Sequence, residues 1–175
     1  WNTMTIVLTR GALGFMIAIP IAWLIARTDM PGGHWLEFGF WIAFFMPSLA
    51  FIQAWIFLLD GQRGLIIYLV RDIPILGPWM KAHIDVFSYW GIIFVHLMSQ
   101  NVSTLVVLMA LAFRNIDSSL EEAARIAGSS KWRTLGTIVL PLSRPALGMM
   151  IVLAIIRGMQ SYEVEAVLGT PVKID

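Results

Sequence analysis

No cysteine occurs among the 175 residues, so disulfides and thiolate metal sites are excluded and the redox compartment is left open. Charge is scarce too. Twelve Lys and Arg stand against eleven Asp and Glu, 13% of the chain, for a net charge of +1. With no chain-wide positive field there is nothing to attract nucleic acid, and basic residues matter by position alone. A GxxxxGK[ST] phosphate loop is missing, and Gly61-Gln62-Arg63-Gly64 lacks its Lys, so the chain does not hydrolyse ATP itself. His34 and His83 read as loop residues and His96 as a hydrogen-bonded interior residue, with no ligand spacing joining the three. No cofactor or metal site is expected. The chain begins at Trp1 rather than Met and stops at Asp175 just past a Gly-Thr-Pro turn signal, which reads as a fragment of a longer protein.

What is abundant is apolar: 58% of residues are hydrophobic, eight are Trp, and the mean hydropathy is +0.78. A bilayer is the solvent such a chain fits. A crossing helix needs about 20 apolar residues, and four segments are expected to span, at about 4–26, 39–59, 86–113 and 145–168. The fold class is all-α, a polytopic transmembrane helical bundle. Arg10 and Arg27 bound the core of the first span, which Met4 to Leu8 extends if Arg10 faces protein or snorkels, Pro47 should kink the second, and the third carries a polar cluster from Ser88 to Thr104. The fourth is interrupted by Arg157. Between the second and third, GLIIYLV and IPILGPWM are too short to cross and suggest interfacial turns or a short surface helix. Four crossings put residues 27–38 and 114–144 on one side. That side holds Arg27, Arg114, Arg125, Lys131, Arg133 and Arg144, against Arg63, Arg71, Lys81 and Lys173 opposite, so 114–144 is expected in the cytoplasm. Trp and Phe at span ends fit an aromatic belt.

The loop 114–144 contains EEAARIAGSSKWRTLGTIVLP at 121–141. Ser118 followed by Glu121 is a capping-box pattern, with Asp117 an alternative N-cap. Leu120, Ala123, Ala124 and Ala127 form a small apolar face, Gly128 can end the helix, and Ser130 can cap a second one through Trp132, Leu135 and Ile138. Such a stretch reads either as a solvated connector or as a docking element. The residues Glu122, Ala123, Ala124, Gly128, Ile138, Leu140 and Pro141 resemble, at full spacing, the EAA motif of permease subunits of binding-protein-dependent ABC importers. The likeness extends through PIAWLIARTDMPG and SYEVEAVLGTP and is greatest to the ferric-iron subgroup. Ser118 and Lys131 depart from it, standing where Pro is common.

The resemblance implies a multi-pass protein of the bacterial inner membrane, in contact with lipid. It also implies a separate ATP-binding cassette ATPase docked on the motif, a periplasmic or lipoprotein substrate-binding protein, and a second permease domain or subunit. Ferric iron is the substrate it implies, with thiamine, a polyamine or a phosphonate as alternatives. The chain is not expected to be an enzyme, having neither a nucleophile with its base nor a metal cluster in its spans. Arg157, near mid-bilayer, must face protein or water, as a structural tie or a pathway lining. Gln160, Ser161 and Glu163 are candidate pathway residues with it, and Glu163 and Glu165 sit closer to the outer face. An ion-coupled secondary transporter relaying through Arg157, Glu163 and Glu165 is the rival reading.

Overall fold

In the computed structural model of the chain the described residues are 2–60, 63–160, 167 and 168, and among them there are helices and turns but no strand. The long first helix, α1 (Asn2–Arg27), runs through both Arg10 and Pro20. At 1.5 Å per residue it is about 39 Å long, enough to cross a hydrocarbon core of about 30 Å. Against it packs α7 (Val102–Arg114), continuous through a π turn at Leu97–Asn101 with α6 (Tyr89–His96). The seam is made close by fully buried Ala18 and Ala22 opposite Leu105, Val106, Met109 and Phe113. Small residues on one helix let the backbones approach, and large ones on the other fill the space, which is how helices associate where lipid offers no hydrophobic gain.

The expected second span, 39–59, is two helices, α2 (Gly33–Phe45) and α3 (Ser48–Leu59), meeting at 106°. Proline was expected to kink this segment; it breaks it. Pro47 has no N–H to donate and pushes Met46 out of the helical region, to φ −75° and ψ 136°. A matching defect lies in the third segment, where Ser99 has ψ −116° inside the π turn. The two defects meet. The Gln100 side-chain amide donates to the Met46 carbonyl at 2.6 Å, satisfying an acceptor at the break.

The 60–85 region holds two short helices, α4 (Leu65–Val70) and α5 (Leu76–His83). After α7 come α8 (Ser118–Ile126), a turn at Gly128, and α9 (Lys131–Thr134), which leads through a second π turn into α10 (Leu140–Leu142). α11 (Arg144–Gln160) then leaves at 76° to the preceding rod. By length and composition α1 and α6–α7 can each cross a membrane, and each bent pair can contribute one more crossing. Met16, Phe45, Phe57 and Met149 point outward, an arrangement that water penalises and lipid accepts.

Candidate functional site

Two features stand apart from ordinary packing: a cavity between the helices with polar side chains in part of its wall, and a helix that projects from one end. The cavity, about 260 Å³, lies between α1, the α6–α7 break, the start of α3 and α11. Arg10 reaches it from α1 with only 5% of its surface exposed, and its Nη2 donates to the Gly158 carbonyl of α11 at 2.7 Å. Its Nη1 lies 3.0 Å from Nε2 of buried His96. A guanidinium here is tolerable because its donors find acceptors inside the protein. Glycine at 158 makes this possible. A Cβ there would come within 2.7 Å of Val7 and 3.2 Å of Arg10 Nη2.

Arg157 also lines the cavity, and its Nη1 donates to Thr104 Oγ1 at 3.1 Å. Around the break the polar side chains of the third segment are spent on backbone. The Ser99 hydroxyl donates to the His96 carbonyl at 2.9 Å and the Asn101 amide to the Arg10 carbonyl at 3.4 Å. Thirteen residues separate Arg157 from Arg144 and Asn101 from Arg114, so both lie about 20 Å from those helix ends. The cavity thus lies well inside the bundle, away from those ends.

The expected partners of Arg157 are only partly placed. Gln160 ends α11, while Ser161, Glu163 and Glu165 lie outside the described residues. Among the described residues no three His, Asp or Glu side chains come together as metal ligands. The sequence leaves Arg10 either facing protein or snorkelling, and it faces protein, in the wall of the cavity. Only the cost of a charge inside an apolar run hinted at this, because His96 and Gly158 stand 86 and 148 positions away.

At the end of the bundle carrying Arg27, Glu37 and Arg114, α8 has no buried residue. Asp117 is its N-cap, accepting from the Ser119 N–H at 3.0 Å. The expected capping box through Ser118 and Glu121 does not form its reciprocal pair, since the Glu121 carboxylate accepts from Arg27 Nε at 2.5 Å. Arg27 also donates to the Ile116 carbonyl at 2.9 Å, so the last turn of α1 is bound to the start of α8. Helix α8 closes with paired bonds, Ser129 N–H to Ala124 C=O and Gly128 N–H to Arg125 C=O, both 2.9 Å. This is a Schellman ending with Gly128 at φ +83°, a conformation that only glycine takes without strain.

Glu122 and Ala123 are exposed and Ala124 is half-buried. Ile126, at 88% exposure, is an apolar side chain left in the open. After the turn, Ser130 caps α9 by accepting from the Arg133 N–H at 3.3 Å, and Trp132 packs at 5.2 Å on Trp23 of α1. Ile138, Leu140 and Pro141 are half-buried, with Leu135 and Val139 in the core between them. The seven motif residues thus divide into an exposed set before Gly128 and an anchoring set after it.

A family model described as "Binding-protein-dependent transport system inner membrane component" matches residues 14–172. The molybdenum transport system permease protein ModB of Escherichia coli (strain K12) is 26% identical over 167 residues, 93% of this chain and 69% of that one. The maltose/maltodextrin transport system permease protein MalG of Salmonella typhimurium is 29% identical over 170 residues, 96% of this chain and 51% of that one. A bacterial ABC transporter involved in the import of the acidic polysaccharide alginate has a chain of like fold, with TM-score 0.74 and 16% identity, covering 95% of this chain and 58% of that one. The chain thus spans about half the length of the maltose relative and about two-thirds of the molybdenum one. By the family match over nearly its whole length, the chain belongs to the inner-membrane components of binding-protein-dependent transport systems, the permeases of ABC importers.

Proposed function

We propose that this chain forms part of the translocation pathway of an ATP-driven importer and receives the stroke of a separate ATPase through α8. The observation that carries this is the exposed helix with its glycine turn. Glu122, Ala123, Leu120 and Ile126 face outward on an element that buries nothing, Arg27–Glu121 ties that element to α1, and Trp23–Trp132 ties α9, beyond the glycine turn, to the same helix. A groove on the ATPase would cover the apolar side chains, and Glu122 would make the polar contact. Movement of α8 would then pass directly through Arg27–Glu121, and through the turn and Trp132 of α9, into the helix that lines the cavity. A substrate-binding protein would deliver cargo at the opposite face, and a second permease domain or subunit would complete the pathway. The segments 4–26, 39–59, 86–113 and 145–168 are proposed as its crossings, the second and fourth in bent form, in the bacterial inner membrane with 114–144 cytoplasmic.

The ferric-iron reading rests on sequence likeness alone, and the relatives above are named for molybdenum and maltose. The test of the docking role is Gly128→Val. Forcing a β-branched residue to φ +83° strains the turn by about 1 to 3 kcal/mol. ATPase co-purification and uptake should both fall while the permease still inserts. Unchanged association and uptake would refute docking through this turn.

A further inference from the structure

Resting on the permease reading, we infer that the cavity takes a small anionic solute, an oxyanion or a carboxylate-bearing one, with Arg157 as the group that touches it. Two guanidinium side chains, Arg10 and Arg157, line one cavity well inside the bundle. They differ in what they are doing. Arg10 is 5% exposed and bound to the Gly158 carbonyl and His96, so it is fixed in the wall. Arg157 is exposed to the cavity space and spends one donor on the Thr104 hydroxyl, with no carboxylate partner among the described residues.

A guanidinium carries five N–H donors in a planar fork that matches the two oxygens of a carboxylate or an oxyanion. Thr104 offers a single neutral oxygen, which such a cargo can replace without leaving any donor orphaned. The contact is therefore exchangeable, as a pathway requires. A cation entering the same space meets repulsion from a group that the low dielectric screens poorly, and a neutral solute leaves the guanidinium charge uncompensated. Asn101 and Ser99 are held on backbone acceptors and shape the wall beside it.

The experiment uses the full-length permease in detergent, titrated calorimetrically in low-salt buffer with sodium molybdate, sodium citrate and, as the uncharged control, maltose. Saturable binding of molybdate or citrate without maltose binding is expected, and which of the two binds separates a free oxyanion from a carboxylate cargo. Arg157→Gln should weaken that binding about tenfold or more, the worth of a charge-assisted hydrogen-bonded contact, with an unchanged elution volume. Arg157→Lys, which keeps the charge and loses the fork, should fall between. Should Arg157→Gln fail to fold, the unmodified protein decides by salt dependence, since added sodium perchlorate should weaken anion binding. Binding of neither anion, binding indifferent to salt, or equal binding by a well-folded Arg157→Gln protein would overturn the inference. ATPase association, measured in parallel, keeps the two readings apart. Anion binding without ATPase association refutes the docking role alone, and association without anion binding refutes the anion site alone.

Discussion

Gly158 shows how much one missing side chain can decide. Its carbonyl holds Arg10, and its bare Cα lets α1 come close enough for that bond to form. Gly158→Ala would place a Cβ 2.7 Å from Val7 Cγ1 on the packed side of α11, forcing the two helices apart at a cost of about 1 to 3 kcal/mol. Gly148→Ala, ten residues earlier on the same helix, meets nothing within 4 Å and gains helix propensity. The thermal midpoint of the full-length permease in detergent should therefore drop for Gly158→Ala and hold or rise for Gly148→Ala. Equal midpoints would show that α11 does not pack on α1 as described. A reader of the sequence sees two glycines in one apolar run and has no means of telling them apart, because the difference lies in what stands opposite.

At the scale of elements, α8 depends on its two ends and one lateral tie. The backbone N–H of Ser119 stabilises the ionised form of Asp117 and holds its carboxyl below the ordinary aspartate range. The sign follows from linkage. This contribution to α8 is full above the ordinary aspartate pKa of about 3.9 and is lost as pH falls through the lower folded value. Amide exchange in the first turn of α8, corrected for intrinsic rates, should quicken over that acid window, and Asp117→Ala should show the fast exchange already at neutral pH. The lateral tie is Arg27–Glu121, with side chains 10% and 15% exposed. Arg27→Gln should remove about 1.5 to 3 kcal/mol of charge-assisted bonding. If α8 drives α1 through this contact, ATP hydrolysed per solute carried should rise while ATPase association persists. A ratio equal to that of the unaltered protein would limit the pair to a structural role. The helix–turn–helix pattern of this region was legible beforehand, since caps and glycine endings are local. That Asp117 rather than Ser118 is the cap, and that Glu121 is taken by Arg27, was not, because Arg27 lies 94 positions away.

For the whole molecule the direct test is sidedness. Arg27, Glu37, Arg114 and Glu121 share one end of the bundle through the Arg27–Glu121 and Arg114–Glu37 pairs, the latter two-pronged at 2.7 Å for both bonds. With no native cysteine in this chain, single cysteines at Ser129 and Asp72 can report which end faces the cytoplasm. A membrane-impermeant thiol reagent applied to intact cells should label the Asp72→Cys protein and spare the Ser129→Cys protein until the cells are opened. The reverse pattern would invert the topology.

Composition and run length by themselves determined that this chain is helical and made for a bilayer, because the hydrocarbon thickness and the need to satisfy every backbone group leave few other forms. The local grammar of caps, glycine and motif spacing likewise determined that a helical element stands between two apolar runs and resembles a permease docking loop. Tertiary structure alone decided how far Pro47 bends its segment and that the freed Met46 carbonyl accepts from the Gln100 amide. It alone put Arg10 beside Gly158 and His96, and Arg157 beside Thr104, in one cavity. Those contacts join residues 53 to 148 positions apart, and a charge within an apolar run announces that it needs a partner without saying which one it will find.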